Sequence, residues 1–150
     1  MYLLDTVVIS ELRKRQPDPA VVQWLSQRAE SELFLSVLTI GEIQRGITGK
    51  RQDDPAFADA LSAWLDALLR NYGDRILPVS TEVARLWGDL SWRVKHDGAD
   101  VLIASTALSR GLVVVTRNVR HFDPLGVKVV NPFDSASQLH QPQRHPDQDL

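Results

Sequence analysis

Near the start of the chain, the apolar run Tyr2-Leu3-Leu4 stops on a carboxylate, Asp5, with Thr6 beside it. A run this short reads as a strand buried on both faces. Such a strand belongs to a sheet covered by helices on both sides, which constrains the fold more than any other feature. In open α/β sheets, ligands gather in the crevice beyond the carboxyl ends of the strands. Asp5 stands at such an end. The plain alternative is that Asp5 caps the helix that follows. Asp5 alone does not decide between the two; other acids arriving at the same edge would.

The rest of the chain alternates in the same way. Thr6–Arg15 carries Val8, Ile9 and Leu12 at helical spacing and ends in Arg13-Lys14-Arg15. Asp18-Pro19 is a cap with proline at the first helical position; it opens a helix to about Ala29, with Val22, Leu25 and Ala29 inward. Leu33–Val37 reads as a second strand, and Thr39 opens a helix with Glu42 in its first turn. Asp54-Pro55 caps a longer helix that Gly73 closes. Ile76–Val79 is a third strand, and Ser80 or Thr81 caps a helix with Val83, Leu86, Trp87, Leu90 and Val94 inward. Trp24, Trp64, Trp87 and Trp92 read as packing residues, although Trp92 lies off that stripe.

Val101–Leu108 is apolar almost all round, so it is a buried helix. It begins at an acid, Asp100, where serine or threonine would cap at less electrostatic cost; function outweighs capping here. Leu112–Val115 is β-branched and central, and it ends in Thr116-Arg117-Asn118. Val127–Val130 is the last strand. The expected fold is a single α/β domain over residues 1–133, with a mostly parallel central sheet of four to five strands covered by helices on both faces. Residues 134–150 are rich in Gln, His, Pro and Asp and read as a disordered tail.

Composition excludes several classes. At 150 residues the chain is one ordinary domain, and its net charge of −2 rules out a broadly basic nucleic-acid binder. Any contact with phosphates rests on local Arg and Lys. There are no cysteines, so disulfides and thiolate metal sites are absent. No signal peptide or membrane span is evident. A cytoplasmic location is the expectation.

In the expected fold, Asp5, Glu42, Asp100 and the Thr116–Asn118 turn reach one edge. Carboxylates about 4 Å apart, at an effective dielectric near 20, repel by roughly 4 kcal/mol per pair. A cation relieves that. Hard oxygen donors point to Mg²⁺ or Mn²⁺ with waters completing the shell. Such an ion suits phosphoryl chemistry, because it acidifies a bound water and shields phosphate oxygens.

Four segments carry a resemblance: Leu3–Leu12, Ser36–Gly46, Asp100–Ala107 leading into Val114–Asn118, and Val130–Phe133. In this order and spacing the chain resembles the PIN-domain family of small endoribonucleases, in particular the VapC and FitB-like toxins of type II toxin–antitoxin pairs. The resemblance implies a Mg²⁺-dependent endoribonuclease in which Mn²⁺ can substitute. It also implies an RNA substrate, a homodimer and a cognate antitoxin laid across the active groove. Carried over by position, Asp5 and Asp100 are the main metal ligands, Glu42 is the third acid, and Thr6 and Thr116 support the metal shell. The family's fourth acid falls on Asn118, with Asp123 an alternative from the following turn. Arg45 and Arg117 are the candidates for RNA phosphates. The sequence departs from the family at Val7, where Asn is usual.

Two rivals stand beside this reading. A phosphomonoesterase using Asp5 as nucleophile needs a second Asp where Val7 stands. A catalytically weakened PIN-fold module that binds RNA or regulates is motivated by Val7 and Asn118.

Overall fold

The structure is a computed structural model that describes residues 1–134 and 139–142. Six strands form one sheet in the order β3-β2-β1-β4-β5-β6. They are β1 (Tyr2–Leu4), β2 (Leu33–Ser36), β3 (Ile76–Leu77), β4 (Val113–Val115), β5 (Val129–Val130) and β6 (Leu139–His140). All pair in parallel except β6, which runs antiparallel to β5.

Strand β6 adds to the four to five strands expected and lies inside the expected tail. Leu139 and His140 are both exposed. They join the sheet through backbone bonds, which leave no apolar pattern in the sequence. The remainder of that tail, 135–138 and 143–150, lies outside the described residues.

β1 is central, and its two apolar ends serve opposite faces. Leu4 enters a core with Val8, Ile9, Trp24, Leu35 and Ile43. Leu3 enters the other, with Leu90, Val101, Ile103, Val114 and Phe122. Both are almost fully buried, as a strand covered on both faces requires. From β1 the chain steps one way to β2 and β3, then returns to lay β4 on the other flank. The order therefore reverses between β1 and β4, and the crevice beyond their carboxyl ends is the switch point of the sheet.

The helices are α1 (Thr6–Glu11), α2 (Pro19–Ser26), α3 (Val37–Lys50), α4 (Pro55–Tyr72), α5 (Thr81–Val94), α6 (Ala99–Arg110) and α7 (Val119–Phe122). Several differ from the sequence reading. α1 stops at Glu11 and leaves Leu12 exposed. α2 stops at Ser26 and buries Val21 and Trp24, while Val22 and Ala29 face solvent. Trp24 sets that face: its ring meets Tyr2 edge-on at 5.0 Å, and Arg28 stacks 3.6 Å above it. α3 is capped by Ser36 rather than opened by Thr39; Thr39 is instead fully buried. Trp64 and Trp87 pack against the two cores. Trp92 does not pack: it is 75% exposed, with Lys95 Nζ 3.5 Å over its ring. It projects from the solvent face of α5, as its position off the apolar stripe dictates.

Glu11 joins α1 to α2. Its carboxylate accepts from the Asp18 N–H at 3.0 Å and pairs with Lys14 at 2.7 Å. The Lys14 hydrogen bond, then the Asp18 amide, hold its carboxyl below the ordinary value. A depressed carboxyl stabilises the fold above its unfolded pKa and loses that contribution as pH falls through its folded one. Glu11→Ala is expected to lower Tm by roughly 2–6 °C at pH 7. The difference should shrink as melts are taken into strong acid; a gap that is constant with pH would remove the charge from this account.

Candidate active site

Asp5 follows β1 directly and Thr116 follows β4. Because Leu4 pairs with Val115 in register, the next residue on each strand stands side by side at the switch point. Both oxygens of Asp5 are consequently occupied. Oδ1 accepts from the Thr6 N–H at 2.8 Å, and Oδ2 accepts from the Thr116 hydroxyl at 2.8 Å. Thr116 is fully buried and its Oγ1 in turn accepts from the Asn118 N–H at 3.0 Å. The capping reading of Asp5 is thus correct as far as it goes, since Asp5 is the N-cap of α1. A serine or asparagine could cap; a carboxylate 8% exposed at the mouth of a crevice carries a charge that capping does not need.

That charge is under strain. Burial pushes the Asp5 carboxyl above its ordinary value, and repulsion from Asp100 adds to the rise. The Thr116 and Thr6 hydrogen bonds and the nearby His121 oppose it. Glu42 on α3 is also raised, by burial first and then by Asp5. Asp100 is thus felt at Asp5, and Asp5 at Glu42.

Glu42 is held differently. The Thr6 hydroxyl lies 3.0 Å from Glu42 Oε1 and 3.0 Å from Thr39 Oγ1. An ionised carboxylate has no proton to give, so Thr6 donates to Glu42 and accepts from Thr39. The result is a relay, Thr39 to Thr6 to Glu42, running from the core to the rim.

Asp100 lies in the first turn of α6, two residues inside its cap, and makes no cap bond. For this acid the capping alternative fails. Its helix is held in place by buried Val101, Ile103, Ala104 and Ala107, as the all-round apolar sequence requires.

These residues share one cleft of about 310 Å³, walled by Asp5, Thr6, Glu42, Asp100, Asn118 and His121 together with Val7, Ser10 and Ile103. By the liquid volume of water this holds on the order of ten molecules, room for a hydrated ion and a phosphate group. Of the two candidates for the fourth position, Asn118 is in the wall and Asp123 is not. Val7 puts an apolar side chain there. Among the described residues no three acids or imidazoles converge closely enough to cage an ion unaided. The carboxylates line a shared space; they do not close on its centre.

Arg45 is exposed on α3, one turn past Glu42. Arg117 is exposed between buried Thr116 and the cleft residue Asn118, but its guanidinium turns to stack 3.7 Å over the Phe133 ring. The sequence reading missed Thr39, His121 and Ser10 as site residues. Thr39 carried a signal, a hydroxyl one turn before Glu42 on a helix. His121 and Ser10 carried none until the strands were placed.

A model of the PIN domain matches residues 2–126 of the chain. The chain belongs to the PIN-domain family. VapC ribonuclease Y4jK of Sinorhizobium fredii is 34% identical over 145 residues, covering 91% of this chain and 100% of that one. Toxin FitB of Neisseria gonorrhoeae is 34% identical over 143 residues, covering 89% and 99%. The crystal structure of FitAcB from Neisseria gonorrhoeae matches with a TM-score of 0.75 at 32% identity, covering 89% of this chain and 99% of that chain. The PIN-domain match thus spans every carboxylate of the cleft. Among the described residues of this PIN domain, no helix is long and apolar enough to cross a membrane.

Proposed function

We propose that this PIN domain is a Mg²⁺-dependent endoribonuclease, the toxin of a type II toxin–antitoxin pair, which hydrolyses RNA phosphodiester bonds. The observation that carries the reading is the doubly anchored, buried carboxylate of Asp5 sharing a cleft with Asp100. The names of its relatives, a VapC ribonuclease and a toxin, support it.

The residues present fit a divalent ion. Asp5 is buried with its charge opposed by Asp100, and the donors around the cleft are oxygens. Mg²⁺ is commonly held by one or two carboxylates, with waters and substrate phosphates completing the shell. Asp5 and Asp100 would hold the ion, with Glu42 as the third acid. When bound, it supplies charge to phosphate oxygens and lowers the pKa of water.

The chain's own groups do the rest. Thr6 and Thr116 fix the Asp5 carboxylate so that it cannot turn away. Thr6 also fixes Glu42 at the rim, where a carboxylate can accept a proton from an attacking water. Asn118 offers a neutral amide in place of a fourth charge. The partners proposed are RNA, a cognate antitoxin and a second copy of the chain.

The test is incubation of the antitoxin-free protein with total RNA, with and without Mg²⁺, followed by mapping of new ends. New ends that appear equally in EDTA would overturn the metal reading. Tight RNA binding with no cleavage in any divalent ion would favour the weakened binding module that Val7 and Asn118 suggest.

Arg45→Ala and Arg117→Ala are each expected to weaken RNA binding several-fold. Each should flatten the salt dependence by about 0.7 in log–log slope per lost phosphate contact. An unchanged slope would place both arginines outside the substrate path.

A further inference from the structure

The start of α6 departs from the other long helices. α3, α4 and α5 are capped by the side chains of Ser36, Asp54 and Ser80. α6 has Gly98 at its cap and no cap bond from any side chain. The backbone there, φ −57° and ψ 166°, is open to every residue type, so conformation does not demand glycine. A serine or aspartate would complete the helix end.

The space around Gly98 accounts for it. A Cβ built there would stand 2.8 Å from Asp100 Oδ1 and 3.4 Å from His96 Nδ1. The first distance is closer than a carbon and an oxygen approach without displacement. The Asp100 carboxylate therefore lies back over the bare Cα of Gly98. The turn is tied beneath it, because the Gly98 N–H donates to His96 Nδ1 at 3.3 Å. Any side chain at 98 would push the carboxylate off this seat while leaving the helix intact, since Oδ1 is the free end of a short side chain.

We propose that Gly98 is a positioning residue for Asp100: the missing side chain is the seat of the Asp100 carboxylate, and the helix forgoes a cap to keep it open. The inference rests on the reading of Asp5 and Asp100 as the pair that holds a divalent ion. It makes an unusual combination of predictions for Gly98→Ser, which supplies a cap and removes the seat.

The experiment is calorimetric titration of Mn²⁺ into the full chain as wild type, Gly98→Ala and Gly98→Ser, with melting curves of all three in chelator. Both variants are expected to bind Mn²⁺ about tenfold or more weakly than wild type, the scale seen when support of a metal ligand is lost. Gly98→Ser should melt in chelator at or above the wild-type temperature. Mn²⁺ affinity within twofold of wild type in both variants overturns the positioning role. So does a large fall in melting temperature for both, which would make Gly98 a plain structural residue. Failure of the wild type itself to bind Mn²⁺ is a separate result, and it removes the metal reading along with this one.

Discussion

Replacing Asp5 or Asp100 by asparagine is expected to reduce RNA cleavage by about a thousandfold or more, with the fold retained. The size follows from what each carboxylate does. Losing one preorganised electrostatic contact at a reacting phosphate or carbonyl typically costs a factor of about 10²–10³. Losing a charge proposed to hold the ion would remove several such contacts at once, because a bound divalent ion can serve both the water and the phosphate oxygens. Asparagine keeps the shape. At position 5 its oxygen can still accept from the Thr6 N–H and its amide can donate to Thr116 Oγ1. A loss of activity therefore reports charge, not a collapsed strand end.

Glu42→Gln should cost less. Glutamine can still accept from the Thr6 hydroxyl, and the residue stands on the rim rather than the floor. The measurement is single-turnover cleavage of a short RNA bearing a mapped site, in saturating Mg²⁺. Asp5→Asn retaining a tenth of wild-type activity would sink the assignment of Asp5 as a ligand. A Glu42→Gln loss as deep as that of Asp5→Asn would move Glu42 from rim to floor.

The parts of this site legible in the sequence are those written in periodicity. Leu3 and Leu4 announce a doubly covered strand, and Val113–Val115 another. Once those two are neighbours, Asp5 and Thr116 meet because Leu4 and Val115 are in register. Asp100 was legible because a charge at the head of an all-apolar helix is costly without a reason. What stayed hidden depends on contacts between elements. The Thr39–Thr6–Glu42 relay joins α1 to α3, which no local pattern encodes. Periodicity alone places the inward face of α2 one position away from Val21 and Trp24, because Val21 and Val22 are interchangeable in a periodic count. The choice was made by Trp24 packing on Tyr2. Strand β6 was hidden for a different reason: its two exposed residues add hydrogen bonds to a sheet edge and nothing to a core. Gly98 was visible as a turn residue, yet its purpose lies in an oxygen two residues on.

The same cleft should show an inversion of stability. In chelator, Asp5→Asn is expected to melt above the wild type; in saturating Mg²⁺, below it. The first half follows from the Asp5 carboxyl being held above its ordinary value by burial and by Asp100. Its ionised form is thus disfavoured in the folded state at neutral pH, and asparagine removes that cost while keeping both hydrogen-bond partners. At this chain length about 1 kcal/mol moves Tm by roughly 2–4 °C, so a rise of a few degrees is expected. The second half is binding linkage. An ion that binds only the folded wild type adds about 2.7 kcal/mol at a hundred times its dissociation constant. That corresponds to roughly 5–10 °C, which the variant forgoes. Asp123→Asn, outside the cleft wall, is the control for general effects of Mg²⁺ and should track the wild type. Two outcomes would break the argument in different places. If Asp5→Asn melts lower in chelator as well, the cap and the Thr116 bond outweigh the repulsion, and the crowding of charge is not what the cleft is built around. If it melts higher in both conditions, the carboxylates are strained but no ion relieves them, and the chemistry proposed for this protein loses its centre.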